Sequence, residues 1–113
     1  MKASIIIALD IEGFHHYPNA PEEVNFLSHR HRHQFKIKIG FFVSDLNREL
    51  EFFLLREFIE KRIHGEFGYP AEFGARSCEM IANWIIGDLQ DHEFNLSFVE
   101  VWEEEIAGAR IDL

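Results

Sequence analysis

Apolar and polar residues alternate with period two over two long stretches of the chain. In the first, residues 3 to 16, Ile5, Ile7, Leu9, Ile11, Gly13 and His15 fall on one face of an extended backbone. In the second, from about His29 to Val43, Phe35, Ile37 and Ile39 alternate with Gln34, Lys36 and Lys38, and His31 and His33 project on the apolar side. Strands this long exceed the roughly 3 to 10 residues common in globular proteins and predict a strongly curved sheet or barrel. Pro18, Asn19 and Pro21 interrupt the alternation, so residues 17 to 28 read as a loop.

Ser44-Asp45-Leu46-Asn47 has turn chemistry. Beyond it, Leu50 and Phe52 alternate with Glu49 and Glu51, which predicts a short returning strand over 48 to 52 rather than one helix over 45 to 63. The period then changes. Leu55, Ile59 and Ile63 share one helical face, giving a helix from about 53 to 63. A Gly- and Pro-bearing loop, Gly65 to Ala75, leads to a second helix from about Ser77 to Leu89. Ser77 is its expected N-cap, Glu79 suits its positive first turn, and Ile81, Trp84, Ile85 and Leu89 form its buried stripe. Leu96 to Trp102 and Ala109 to Leu113 read as closing strands. The expected class is α+β: an antiparallel sheet with two helices on one face.

At 113 residues with 47% hydrophobic content and twelve Phe, the chain supports one domain with a modest core and is not disordered. A net charge of −9, with Lys and Arg scattered apart from a small cluster between Arg30 and Lys38, disfavours nucleic acid as a partner. No apolar run reaches the roughly 18 residues of a membrane span. Asp10 and Glu12 interrupt the apolar start, and no small-residue cleavage site follows, which argues against a signal peptide. A single cysteine makes no internal disulfide, so a reducing cytoplasm is the expected setting.

The candidate chemistry lies in the histidines, five of seven of which fall between positions 15 and 33. Two imidazoles two residues apart on one strand face, with His15 or His16 one loop upstream, make a potential three-nitrogen site with an open fourth position, as in catalytic zinc centres. The competing reading of His29-Arg30-His31-Arg32-His33 is a solvated basic strand edge or a phosphate patch.

Taken together, the segments resemble the 6-pyruvoyltetrahydropterin synthase and 6-carboxytetrahydropterin synthase family. Its Phe-x-Ala-x-His is met by Ile11-x-Gly13-x-His15, and its His-Gly-His-x-Tyr/Phe by His31-Arg32-His33-Gln34-Phe35. Its Asp-Phe-x-x-Leu-Lys is met by Glu51-Phe52-x-x-Leu55-Arg56, and its Pro-Thr-x-Glu-Asn by Arg76-Ser77-Cys78-Glu79-Met80. Its late Val-x-Val-x-Glu-Thr is met by Val99-Glu100-Val101-Trp102-Glu103-Glu104. The resemblance implies the T-fold, with a four-stranded antiparallel sheet and two helices, whose subunits join edge to edge into trimers or hexamers. It also implies Zn2+ held by His15, His31 and His33, and not by His16. The substrate would be a pterin, gripped by Glu103 with help from Ser77 and Glu79.

The departures from the family are specific. The catalytic Cys position is Leu27, and the family's Asp-His proton relay maps onto Ile63-His64, leaving His64 as the relay's one remaining candidate catalytic residue. The helix end offers His64 an equally natural structural role, and Glu103 in Glu103-Glu104-Glu105 is also readable as part of a solvated acidic edge. Cys78 reads as a buried, inert thiol. Glu22 and Glu23 are candidate replacement bases, and the chain is either a divergent pterin-processing lyase, a zinc- and pterin-binding relative without turnover, or a metal-free structural protein.

Overall fold

The computed structural model describes residues 1–113. Strands β1 (Ala3–His15) and β2 (His31–Val43) form a long antiparallel pair in continuous register, from Ala3 opposite Val43 to His15 opposite His31. Strand β4 (Leu96–Glu103) pairs with β2, and β5 (Ala107–Asp112) pairs with β4, both antiparallel. A four-residue strand, β3 (Ala71–Gly74), runs parallel to the end of β1. The sheet is therefore five-stranded and mixed, in the order β3-β1-β2-β4-β5, and not the four-stranded antiparallel sheet expected.

Helices α1 (Phe52–Phe67) and α2 (Cys78–Asp91) cover the face that carries the alternating apolar residues. Ile7, Leu9 and Ile11 of β1 and Phe35, Ile37, Ile39 and Phe41 of β2 meet Leu55, Ile59 and Ile63 of α1 and Ile81, Ile85 and Leu89 of α2 in one core. The opposite face carries cross-strand ion pairs, Lys36 to Asp10 at 2.9 Å and Arg32 to Glu12 at 3.3 Å. Period-two alternation thus separates an oil-like face from a charged one along the same two strands. No helix is long and apolar enough to cross a membrane.

Three predicted segments are corrected. The strand over 48 to 52 does not form, because its acids serve as backbone acceptors instead of alternating strand residues. The Glu49 carboxylate accepts from the N–H groups of Ser44 and Asp45, and Glu51 caps α1 by accepting from Phe53 and Leu54. The predicted loop from Gly65 to Ala75 contains the last turn of α1, which ends at Gly68 with φ of 88°, and then β3. Only Ala71 and Phe73 point inward from β3, a signal too short for periodicity to register. The segment from 17 to 28 likewise holds a short 3-10 helix, Glu22–Ser28.

Candidate metal centre

The inward face of β1 and β2 changes character at one end of the sheet. Beyond Ile11 and Phe35 the same alternation brings His15, His31 and His33 together, with ring centroids 4.7 to 5.1 Å apart. Gly13 lies directly opposite His33 in the ladder. A Cβ there would come within 2.9 Å of the Phe73 ring and 3.1 Å of the Phe35 ring, so glycine leaves room for the aromatic floor under the histidines. Phe35 packs edge-on against both His15 and His33.

Each ring is held through Nδ1. His15 Nδ1 donates to the Arg76 carbonyl at 2.9 Å, His31 Nδ1 to the His29 carbonyl at 2.8 Å, and His33 Nδ1 to the Glu104 carboxylate at 2.9 and 3.2 Å. All three partners only accept, so the Nδ1 atoms carry the hydrogens and each neutral ring keeps its lone pair on Nε2. One ring nitrogen from each histidine lies within 4.8 Å of the other two. His33 Nε2 is buried without a hydrogen-bond partner. His15 is the one polar or charged residue among the buried ones, and burial pushes its imidazolium below the usual range, against the opposing pull of the Arg76 carbonyl and Glu103.

Glu103, the last residue of β4, brings its carboxylate within 3.2 Å of His15 Nε2 and 3.7 Å of His33 Nε2. In the neutral form of the rings these contacts would set lone pairs against carboxylate oxygens with no hydrogen between them. Such a convergence of nitrogen and oxygen donors is stabilised by a cation at its centre. Three imidazoles with fixed tautomers and one orphaned nitrogen therefore fit a zinc-type ion by their donor chemistry.

An open cavity of about 960 Å³ borders the cluster. His15 and His31 form part of its wall, and Ser77, Glu79 and Glu103 line it as well. Ser77 also caps α2, accepting from the Met80 N–H at 3.1 Å, while Glu79 sits exposed in the first helical turn. Leu27 and Cys78 lie on the same wall. The Cys78 thiol is 3.9 Å from Glu103 Oε2, and burial, reinforced by the carboxylates of Glu103 and Glu79, pushes it up to about 12. It is a protonated, unreactive thiol.

Other candidates fall elsewhere. His64 lies in the last turn of α1, where its Nδ1 donates to the Gly68 carbonyl at 3.0 Å and its ring packs on Tyr69, and it does not line the cavity. Glu22 and Glu23 are exposed on the 3-10 helix and are also outside the cavity wall. Arg32 turns to the outer face to pair with Glu12. Glu104 escaped the sequence reading, since within Glu103-Glu104-Glu105 nothing distinguishes a ring-holding carboxylate from a solvated one.

No protein-family model and no curated protein sequence matches the chain. Its fold, in contrast, is shared by solved structures. An uncharacterised protein of Wolinella succinogenes superposes with a TM-score of 0.70 at 16% identity, covering 99% of this chain and 98% of the other. The 6-pyruvoyl tetrahydropterin synthase of Caenorhabditis elegans superposes with a TM-score of 0.64 at 11% identity, covering 100% and 96%. The chain thus has the 6-pyruvoyl tetrahydropterin synthase fold over its whole length, at an identity that speaks for the fold alone.

Proposed function

We propose that His15, His31 and His33 hold a zinc ion and that the adjoining cavity takes a pterin, in the manner of a 6-pyruvoyl or 6-carboxytetrahydropterin synthase. The observation that carries this reading is the set of three histidines whose Nδ1 hydrogens are all committed, leaving a buried Nε2 without a partner. A bound zinc would supply Lewis acidity, lowering the pKa of a hydroxyl on the ligand side chain.

The chain's own residues do the rest. Glu103 is suited to grip the ring, because a carboxylate accepts two parallel hydrogen bonds from the amino group and ring N–H of a 2-amino-4-oxo heterocycle. Ser77 and Glu79 border the same space at the start of α2. His64 lies outside its own chain's cavity and is suited to act only in that of a neighbouring copy. The sheet edges favour such a neighbour: β3, which follows His64, ends one side of the sheet, while Ala107 and Gly108 of β5, at the other, border the cavity. Joining β3 of one copy to β5 of the next would pair both exposed edges and bring His64 towards that cavity.

A specific observation also supports a second reading, binding without turnover. Leu27 stands on the cavity wall where the resembling family carries its catalytic Cys, and an alkyl group moves no proton. Elemental analysis of the purified protein, followed by pterin fluorescence titration and assay with dihydroneopterin triphosphate, separates the possibilities. About one zinc per chain with turnover supports the lyase, zinc and binding without turnover the second reading, and no zinc from zinc-replete cells refutes both. A sedimentation mass of one chain would exclude the shared site with His64.

A further inference from the structure

We propose that Glu104 is a positioning residue for His33: its carboxylate keeps the ring hydrogen on Nδ1, so that Nε2 is held as a free lone pair on the side shared with His15 and His31. The inference builds on the metal reading above and assigns a role to a residue outside the three proposed ligands. Of the three rings, only His33 is held by an anion; His15 and His31 lean on the neutral carbonyls of Arg76 and His29. A carboxylate acceptor fixes the ring hydrogen on Nδ1 more firmly than a neutral carbonyl does, so Glu104 sets His33 apart as the ring whose orientation rests on a charged partner.

Glu104 is itself fixed from two directions. Its backbone N–H donates to the Gln34 carbonyl at 3.0 Å, and its Oε1 accepts from the Gln34 N–H at 3.2 Å. Its backbone takes the left-handed conformation, φ 54°, at the turn that follows β4. The three consecutive acids consequently have three separate partners. Glu103 faces the Nε2 side of His33 and Glu104 the Nδ1 side of the same ring, while Glu105 reaches Lys36 at 3.7 Å on the charged face. A solvated acidic edge would have no reason to bracket one imidazole in this way.

Two readouts test the role. In metal-free protein at about pH 8, where an ordinary imidazole is neutral, nitrogen-15 NMR of the histidine rings should find His33 as the Nδ1–H tautomer. Glu104→Ala should move it towards the Nε2–H form. Zinc affinity, measured by competition with a chromophoric chelator, should fall about 10- to 100-fold in Glu104→Ala. Glu104→Gln, which keeps an acceptor and loses the charge, should lie between, and thermal melts of the metal-free variants report whether the fold is intact. Glu105→Gln removes the same charge from the neighbouring residue and should bind zinc like the wild type. An unchanged His33 tautomer in Glu104→Ala, or equal losses in Glu104→Gln and Glu105→Gln, overturns the proposal. Absence of zinc binding by the wild type instead removes the metal reading, and the tautomer measurement then decides by itself whether Glu104 sets the ring.

Discussion

The two ends of the β1–β2 ladder share one backbone geometry and one inward face, yet they solve opposite problems. In the body, Ile7, Leu9 and Ile11 oppose Ile39, Ile37 and Phe35, every side chain is apolar, and the helices seal the face from water. At the far end, His15 opposes His31 and Gly13 opposes His33, and the same inward direction delivers nitrogen lone pairs to one point. The body gains stability from each residue it buries. The histidine end leaves a buried nitrogen unpaired, a loss that a cation would recover. Their junction is aromatic: Phe35, fully buried, touches the core on one side and two imidazoles on the other.

The sharpest way to break this division is at the junction. Phe35→Ala should destabilise the fold by about 3–5 kcal/mol, read from urea midpoints, and should also weaken zinc binding, since His15 and His33 lose their floor. Unimpaired binding in a destabilised variant would show the two ends to be independent. Gly13→Ala, whose Cβ would meet Phe73, Phe35 and the Ala71 carbonyl within 3.1 Å, should cost about 1–3 kcal/mol through displaced rings. A neutral effect there would mean that the floor yields freely.

His33→Leu sharpens the contrast by separating metal binding from stability. It removes the orphaned nitrogen together with the His33–Glu104 hydrogen bond, two opposing effects of about 1 kcal/mol each, so the metal-free protein should change little in stability while losing stoichiometric zinc. Zinc at roughly one hundred times its Kd should stabilise the wild type by about 2.7 kcal/mol and leave this variant unmoved. Matching melts of wild type and variant, with and without zinc, would contradict the idea that the histidine end is stabilised by a cation.

The smallest expected effect concerns Cys78. Its thiol is held up at about 12 in the folded chain, against an ordinary value of 9.0. As pH rises above that ordinary value the unfolded chain releases the proton and the folded chain keeps it, so this contribution to stability falls between pH 9.0 and about 12. Cys78→Ala should lack that component of the alkaline decline. Identical pH profiles for the two proteins would show the thiol to be less buried than its place beside Glu103 implies.

The long strands were legible because their alternation extends well beyond chance, and α2 because Ser77 caps it and its apolar stripe repeats with helical period. The strand expected over 48 to 52 failed because Glu49 and Glu51 gain more by accepting backbone hydrogens than by alternating on a sheet edge. β3 was invisible because two inward side chains carry no period, and its position is set by its pairing with the end of β1. Of the candidate site, His31 and His33 were readable as a pair from spacing alone. That His15, and not His16, faces them depends on the parity of β1 and its register with β2.

The order of apolar and polar residues by itself determined two long strands, two helices and a histidine pair on an inward face, because side-chain direction along a strand or helix follows from local geometry. Tertiary structure alone decided that one nitrogen of each ring comes within 4.8 Å of the other two, that Glu103 and Glu104 take opposite sides of His33, and that His64 and Glu22 stay outside the cavity. Those facts depend on partners as many as 71 residues apart in the chain, and contacts across such separations are fixed by register and packing.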